Sequence, residues 1–384
     1  MINSILDNDF YKFLMQQAVV RKFPKAETEY SFINRGNHNF TRSMVEDIKY
    51  TVDLMENLKL TDDEFIFLKR MNIFNPVYLE IIKNYKYNTN EVSITYDEDI
   101  KNLKISINGY WFKTILWEVP IMAIVSEVYN RHIKPEYQYN NKKDIDKFNK
   151  LAENNINFAD FGTRRRINFN NHNRIVDLVR DYPNFIGTSN LYFAKKYNIE
   201  PIGTQAHEWF MFHGAKYGYR IANEIALKNW LEVFNGEKAI ALTDTYTTDI
   251  FFLNFNRELS NNYEGVRQDS GDPKLFADNI INHYKSLNID PKNKMIIFSD
   301  SLNAEKAIEL KKYCGDRIKC SFGIGTNLTN DIKGITPLNF VIKMRKAREQ
   351  NKYQANTIKL SDTTGKISGN PEEVKACQIQ LNLS

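Results

Sequence analysis

The chain has 384 residues, 42% hydrophobic and 13% aromatic, with 52 basic against 47 acidic side chains. That length exceeds what one core usually spans, so two domains are expected, and the apolar content excludes a disordered chain. A formal charge of +5 is too mild for a polyanion-binding protein, although it suits a phosphorylated small substrate. The three cysteines, Cys314, Cys320 and Cys377, show no CxxC spacing and fit reduced, buried thiols better than a disulfide frame or a zinc site. The start, MINSILDNDFYKF, lacks a basic region followed by an apolar core, and no stretch approaches the roughly 20 apolar residues of a membrane span. A cytoplasmic protein with neither membrane nor nucleic-acid partners is expected.

Residues 1–150 read as an α+β domain. A helix is expected over Asp9–Phe23, a strand over Thr28–Asn34 and a helix over Thr41–Leu58. Thr61 with Glu64 is a capping-box signature for the next helix. Strands follow at Val92–Tyr96 and Leu103–Ile107, then a helix at Pro120–Arg131; the polar run Tyr139–Asn149 reads as a solvated connector and first helical turn. From residue 151 to 337 short strands alternate with helices at βα spacing. The strands fall near Ile156–Asp160, Asn184–Ile186, Glu200–Ile202, Ala239–Leu242, Tyr263–Val266, Met295–Phe298 and Ile318–Phe322. The helices fall near His172–Arg180, Leu191–Tyr197, Lys216–Phe234, Thr247–Phe255, Lys274–Leu287 and Ala304–Tyr313. The tail, 338–384, alternates at Phe340–Met344 and Thr357–Leu360 and is expected to return as strands to the first domain.

Each barrel strand ends in small, charged or phosphate-compatible residues: FGTRRR, GTSN, GTQAHE, TDT, RQDSGD, SD and GIGT. In a β/α barrel these ends share one mouth, where ligands bind. An open doubly wound sheet is the alternative, but it leaves several clusters away from its crevice. GIGTN at 323–327 offers glycine-spaced N–H groups for a phosphate, without the GxGxxG or Walker pattern. Arg164, Arg165 and Arg166 could clamp an anion beside Phe161, whose ring could stack on a flat substrate. His207, next to Glu208, is a candidate nucleophile or base, and the spacing to His213 is not the HExxH of a zinc site. Asp244, Asp269, Asp272 and Asp300 supply carboxylates for sugar hydroxyls, for magnesium-bound waters or for a cation-like sugar carbon. A sugar phosphate lying across the mouth with a flat ring partner fits glycosyl transfer better than hydride transfer.

The segments DNDFYKFLM, FGTRRR, GTSN, GTQAHEWF, LTDTYTTD, GVRQDSGDP, FSDSLN and SFGIGTNLTND, in this order, resemble the nicotinate phosphoribosyltransferase family, of the type II phosphoribosyltransferase fold, over nearly the whole chain. Gln268 and Ser301 depart from it, standing where His and Gly are expected. The resemblance implies an irregular β/α barrel with an N-terminal α+β domain completed by the C-terminal tail. It implies transfer of phosphoribosyl from 5-phosphoribosyl 1-diphosphate to nicotinate in NAD biosynthesis, coupled to ATP, with magnesium carried on the substrates and no metal site of the protein's own. A homodimer with its site at the interface is implied, with Tyr11 of one subunit and Phe161 of the other sandwiching the pyridine ring. Arg164 and Arg267 would hold the anionic substrate, Thr188 and Ser189 would lie near the nicotinate carboxylate, and Ser270 would belong to the substrate site. Asp269 and Asp300 would contact ribose, Gly323, Gly325 and Thr326 would cradle the 5′-phosphate, and His207 would be phosphorylated by ATP. The nicotinamide-using relatives are the alternative; they carry Asp at the position of Ser189, which would repel a carboxylate.

Overall fold

The structure, a computed structural model, describes residues 1–134, 136–349 and 353–383. Its antiparallel sheet holds β1 (Ala26–Asn34), β2 (Val92–Asp97) and β3 (Asn102–Tyr110). The parallel sheet holds β4 (Phe158–Asp160), β5 (Phe185–Thr188), β6 (Ile240–Leu242), β7 (Gly265–Gln268), β8 (Met295–Phe298) and β9 (Lys319–Ile324). The tail supplies β10 (Phe340–Glu349) and β11 (Ala355–Asn356), which complete the antiparallel sheet in the order β11-β10-β1-β3-β2. β10 runs beside β1 from Ala26↔Glu349 to Asn34↔Phe340, with a bulge between Glu29 and Tyr30.

The parallel sheet has the order β5-β4-β9-β8-β7-β6 and curls toward closure between β5 and β6. The strand expected at Glu200–Ile202 belongs in that gap but shrinks to a single bridge, Thr188↔Pro201. Proline has no N–H for the second ladder. On the far side the Gln205 side chain substitutes, its Oε1 accepting from Leu242 N at 3.4 Å. The barrel is therefore irregular at this seam.

The two helices nearest the strand ends are buried all round rather than on one face, as is the first half of Glu118–Ile133. Phe10–Lys22 has ten consecutive buried residues from Phe10 to Val19 and is tied to the barrel by Phe10 N donating to Ser189 O at 2.6 Å. His207–Tyr217, buried from His207 to Gly214, ends at Gly218, whose φ of 89° stops it. The helix expected from Lys216 thus starts later, as Ala222–Phe234. Trp111, Trp117, Trp209 and Trp230 are all fully buried in one core that joins both sheets.

Candidate active site

The C-terminal ends of the parallel strands face β10 and the tail across a cavity of about 520 Å³. Arg35, Arg164, Arg165, Arg267, Lys343, Lys359 and Lys366 line it against Glu118, Glu208, Asp269 and Asp300. Burial and Lys359 push Lys343 down to about 7, but the remaining six cations still outnumber the four carboxylates and concentrate positive potential where an anionic ligand would enter. Gly323, Gly325 and Thr326 form part of the wall. Thr326 opens a single helical turn, Thr326–Thr329, and the first N–H groups of such a turn have no partner within it.

A smaller recess shares Tyr11, Phe161, Arg164 and Arg267 with the main cavity and adds Asp9, Ser189 and Ile297. Two missing Cβ atoms shape it. A Cβ on Gly323 would lie 2.4 Å from the Phe161 ring, and one on Gly203 would lie 2.9 Å from Tyr11 N. The Arg164 guanidinium lies 5.5 Å from the Tyr11 ring centroid. Tyr11 therefore lines the recess together with Phe161 and Arg164 of its own chain. Tyr11 Oη and Arg267 Nε are buried without a hydrogen-bond partner. Buried donors left unpaired are costly, so a recess that offers two of them is built for an acceptor.

The arginine run divides by environment. Arg164 faces the recess and is held by Asp9 Oδ2 at 3.3 Å and Glu118 Oε1 at 3.7 Å. Arg165 lines the cavity and donates to Phe340 O at 2.8 Å. Burial, with Arg164 and Arg35 close by, lowers it to about 10. Arg166 is fully buried in a bidentate pair with Asp7, both contacts 2.7 Å, and is structural.

His207 begins its helix and points Nε2 at Asp244 Oδ1 (2.8 Å), with Asp269 Oδ2 at 3.6 Å. Lys359 Nζ sits 2.7 Å from the same nitrogen and 3.1 Å from Asp244 Oδ2. Burial, reinforced by Lys359, pushes His207 down to about 4, although Asp244 pulls the other way. Burial alone would raise Asp244, but Lys359 and His207 outweigh it and hold it well below the usual carboxylate range. Asp269 is likewise brought to about 2, with Arg267 overcoming its burial. Ser299 Oγ donates to Asp269 Oδ1 at 2.8 Å, and Lys366 Nζ holds Asp300 Oδ1 at 2.7 Å.

Asp244, not the adjacent Glu208, orients the histidine ring. Glu208 instead accepts from Lys12 (2.6 Å) and Tyr30 (2.7 Å). Lys12 is fully buried and bridges to Glu118 at 2.5 Å. Burial would raise Glu118, but Lys12 and Arg164 bring it to about 2, while burial pushes Glu208 upward. Among the described residues one trio could grip a metal ion: His207, Asp244 and Asp269. The Lys359 ammonium already sits against two of its three members, so these residues do not fit a resident metal.

Four expected contacts differ. Ser189 lines the recess, but its hydroxyl proton goes to Asp9 Oδ1 (2.8 Å) rather than outward. Thr188 is fully buried and donates to Asp160 Oδ2 (2.7 Å), lining neither the cavity nor the recess. Ser270 also lies behind the wall and donates to Asp244 Oδ2 (2.6 Å), bracing the histidine's partner. Asp272 caps the helix Pro273–Ser286, accepting from Lys274 N and Leu275 N. The two departures from the family pattern also have local roles. Gln268 Nε2 donates to Ser270 O at 2.7 Å, and Ser301 takes a φ of 51°, a conformation glycine adopts without strain. Sequence reasoning missed Lys12, Tyr30, Glu118, Lys343, Lys359 and Lys366; the usable signal was a lysine inside an otherwise apolar stretch, as at Lys12 and Lys359.

Comparison with known proteins agrees with this layout. Residues 156–384 match the nicotinate phosphoribosyltransferase (NAPRTase) family and residues 6–126 match its N-terminal domain. The chain is 46% identical to a nicotinate phosphoribosyltransferase of Desulforapulum autotrophicum, covering 98% of each chain. It is 42% identical to one of Chromohalobacter salexigens, covering 100% of this chain and 99% of that one. The crystal structure of nicotinate phosphoribosyltransferase from Porphyromonas gingivalis superposes with a TM-score of 0.97 at 39% identity, each chain fully covered. That from Vibrio cholerae gives 0.94 at 34% identity over 100% of this chain and 95% of that one. The cationic cavity, the aromatic recess and these likenesses together place the chain in the nicotinate phosphoribosyltransferase family.

Proposed function

We propose that the chain transfers phosphoribosyl from 5-phosphoribosyl 1-diphosphate to the ring nitrogen of nicotinate, giving nicotinate mononucleotide and diphosphate, and that ATP drives the reaction through a phosphohistidine at His207. One observation carries the choice of nicotinate: Tyr11 Oη and Arg267 Nε are buried and unpaired at the recess that Phe161 and Arg164 also line. A pyridine ring between the two aromatics would put its carboxylate among these donors. Nicotinamide would offer one acceptor and set its N–H₂ group against guanidinium, leaving polar groups unpaired at roughly 1–3 kcal/mol each.

The ring nitrogen's electron pair forms the bond to ribose carbon 1 as the bond to the diphosphate oxygen breaks, and that oxygen keeps its electrons. Carbon 1 becomes cation-like, which the ionised Asp269 favours, and the departing charge meets the cavity's arginines and lysines. The N–H groups from Gly325 onward suit the 5′-phosphate. Magnesium carried on the substrates' phosphate groups would add charge neutralisation for the leaving diphosphate, next to the cavity's arginines and lysines. Association as a homodimer rests on the family likeness, and a cytoplasmic setting on the three free, buried cysteines.

His207→Asn tests the phosphohistidine. The variant should fold, lose ATP stimulation and keep slow ATP-independent transfer. Acid-labile phosphate from ATP on the variant chain would refute the assignment.

A further inference from the structure

The tail does more than complete the antiparallel sheet. Past Asn356 it crosses the barrel mouth, where Leu360 N donates to Thr245 O (2.8 Å) and Lys359 pairs with Ser368 through backbone bonds in both directions. Ser361, at a φ of 67°, turns its hydroxyl onto Ser270 Oγ (2.9 Å) and Asp244 Oδ2 (3.3 Å). Asp362 accepts from Thr248 N (2.7 Å) and Thr248 Oγ1 (2.6 Å), which pins the crossing to the segment after β6. These bonds fix the backbone on both sides of Lys359. Its side chain is 3% exposed and ends between His207 Nε2 and Asp244 Oδ2.

We propose that Lys359 is a positioning residue for His207: its ammonium, lodged between the ring and Asp244, keeps the imidazole uncharged and nucleophilic, then pairs with the phosphoryl group the ring accepts. This deepens the phosphohistidine reading and rests on it. Charged groups from three other parts of the chain face the ring. Asp244 follows β6 and lies 2.8 Å away, and Asp269 follows β7 at 3.6 Å. Lys359 comes from the tail, and Lys343 from β10, which burial and Lys359 push down to about 7, adds positive charge as pH falls below that value, and its field also reaches the ring. Glu208, next on the histidine's own helix, is turned to Lys12 and Tyr30. Two carboxylates alone would draw a proton onto the imidazole, and a protonated imidazole has no lone pair to attack with. Burial opposes that proton first and the two lysines add to it, Lys359 being the one in contact.

The unprotonated ring nitrogen attacks the γ-phosphorus of a nucleoside triphosphate and forms an N–P bond. The P–O bond to the β-phosphate breaks, its oxygen keeps the electron pair, and the nucleoside diphosphate leaves. Nε2 attacks as Lys359 Nζ, 2.7 Å away, shifts from its lone pair to the incoming phosphoryl oxygens; the ring's own proton stays on Nδ1, and the positive charge the ring gains is offset by Asp244 Oδ1, 2.8 Å from Nε2. The phosphoryl oxygens carry negative charge, which Lys359 faces.

The test is the pH dependence of acid-labile labelling from γ-labelled ATP in the wild type, Lys359→Met and Lys359→Arg, with His207 followed in parallel by NMR titration of its ring protons. The wild-type rate should change less than about twofold between pH 8 and 6, whereas Lys359→Met should fall roughly tenfold per pH unit below neutrality. Lys359→Arg should restore the wild-type profile. In the NMR titration the wild-type ring should stay neutral to below pH 5. A Lys359→Met profile that matches wild type overturns the proposal while leaving the phosphohistidine intact. No label on the wild type overturns both. If Lys359→Met does not fold, a wild-type ring that protonates above pH 6 still overturns it.

Discussion

Three adjacent arginines with three different surroundings give a direct test of how position sets role. Arg166 is sealed in a bidentate pair with Asp7, and both side chains are fully buried. Removing one member of such a pair leaves an uncompensated buried charge, so Arg166→Ala should destabilise the fold by about 3–5 kcal/mol. Arg164 stands at the recess with part of its side chain open to solvent and only long contacts to Asp9 and Glu118. Arg164→Ala should unfold within about 1 kcal/mol of wild type and raise the KM for nicotinate by about 10- to 100-fold. Urea unfolding and steady-state kinetics on the two variants separate these outcomes. Equal losses of stability would contradict the division.

At the scale of elements, the end of β9 is where packing and chemistry meet. Gly323 leaves the room that the Phe161 ring occupies, since a Cβ there would lie 2.4 Å from it. Gly323→Ala should displace the ring, raise the KM for nicotinate about tenfold and cost about 1–3 kcal/mol of stability. An unchanged KM would remove Phe161 from the recess. The strand ends were readable because βα spacing repeats and polar clusters follow each apolar run. His207–Tyr217 was not read as a helix because HEWFMFH is buried on every side and so shows no amphipathic period. The expected strand at Glu200–Ile202 failed at Pro201, which leaves one bridge where a ladder was anticipated. The expected strand at Thr357–Leu360 is mostly a crossing segment, with β11 limited to Ala355–Asn356: Thr357 N still donates to Arg345 O of β10, but the Lys359 backbone pairs with Ser368 and Leu360 N donates to Thr245 O in the barrel. Local sequence cannot report partners more than a hundred residues away, and so Lys359 stayed invisible as a site residue.

For the whole molecule, the buried histidines tie stability to pH. Burial, aided by Lys359, brings His207 to about 4, and burial brings His213 to about 3. Both values lie below the roughly 6.5 of an unfolded chain. The unfolded state therefore takes up protons that the folded state refuses as pH falls below that value. Stability should be full above about pH 6.5 and fall between there and the folded values, by up to about 1.4 kcal/mol per pH unit from each histidine. The depressed carboxylates Asp7, Asp160 and Asp244 add to the loss only at lower pH. Chemical denaturation at pH 7 and pH 5 checks the slope. Equal stability at the two values would mean that the imidazoles are not held neutral.

The functional claim itself is tested most directly by turnover. Wild-type protein is given 5-phosphoribosyl 1-diphosphate and magnesium with either nicotinate or nicotinamide, with and without ATP, and diphosphate release is followed. The donors converging at Tyr11, Arg164 and Arg267 predict a kcat/KM for nicotinate at least about 100-fold above that for nicotinamide, roughly 2.7 kcal/mol, and a clear increase in rate with ATP. Diphosphate release that favours nicotinamide, or none with nicotinate, would contradict the account.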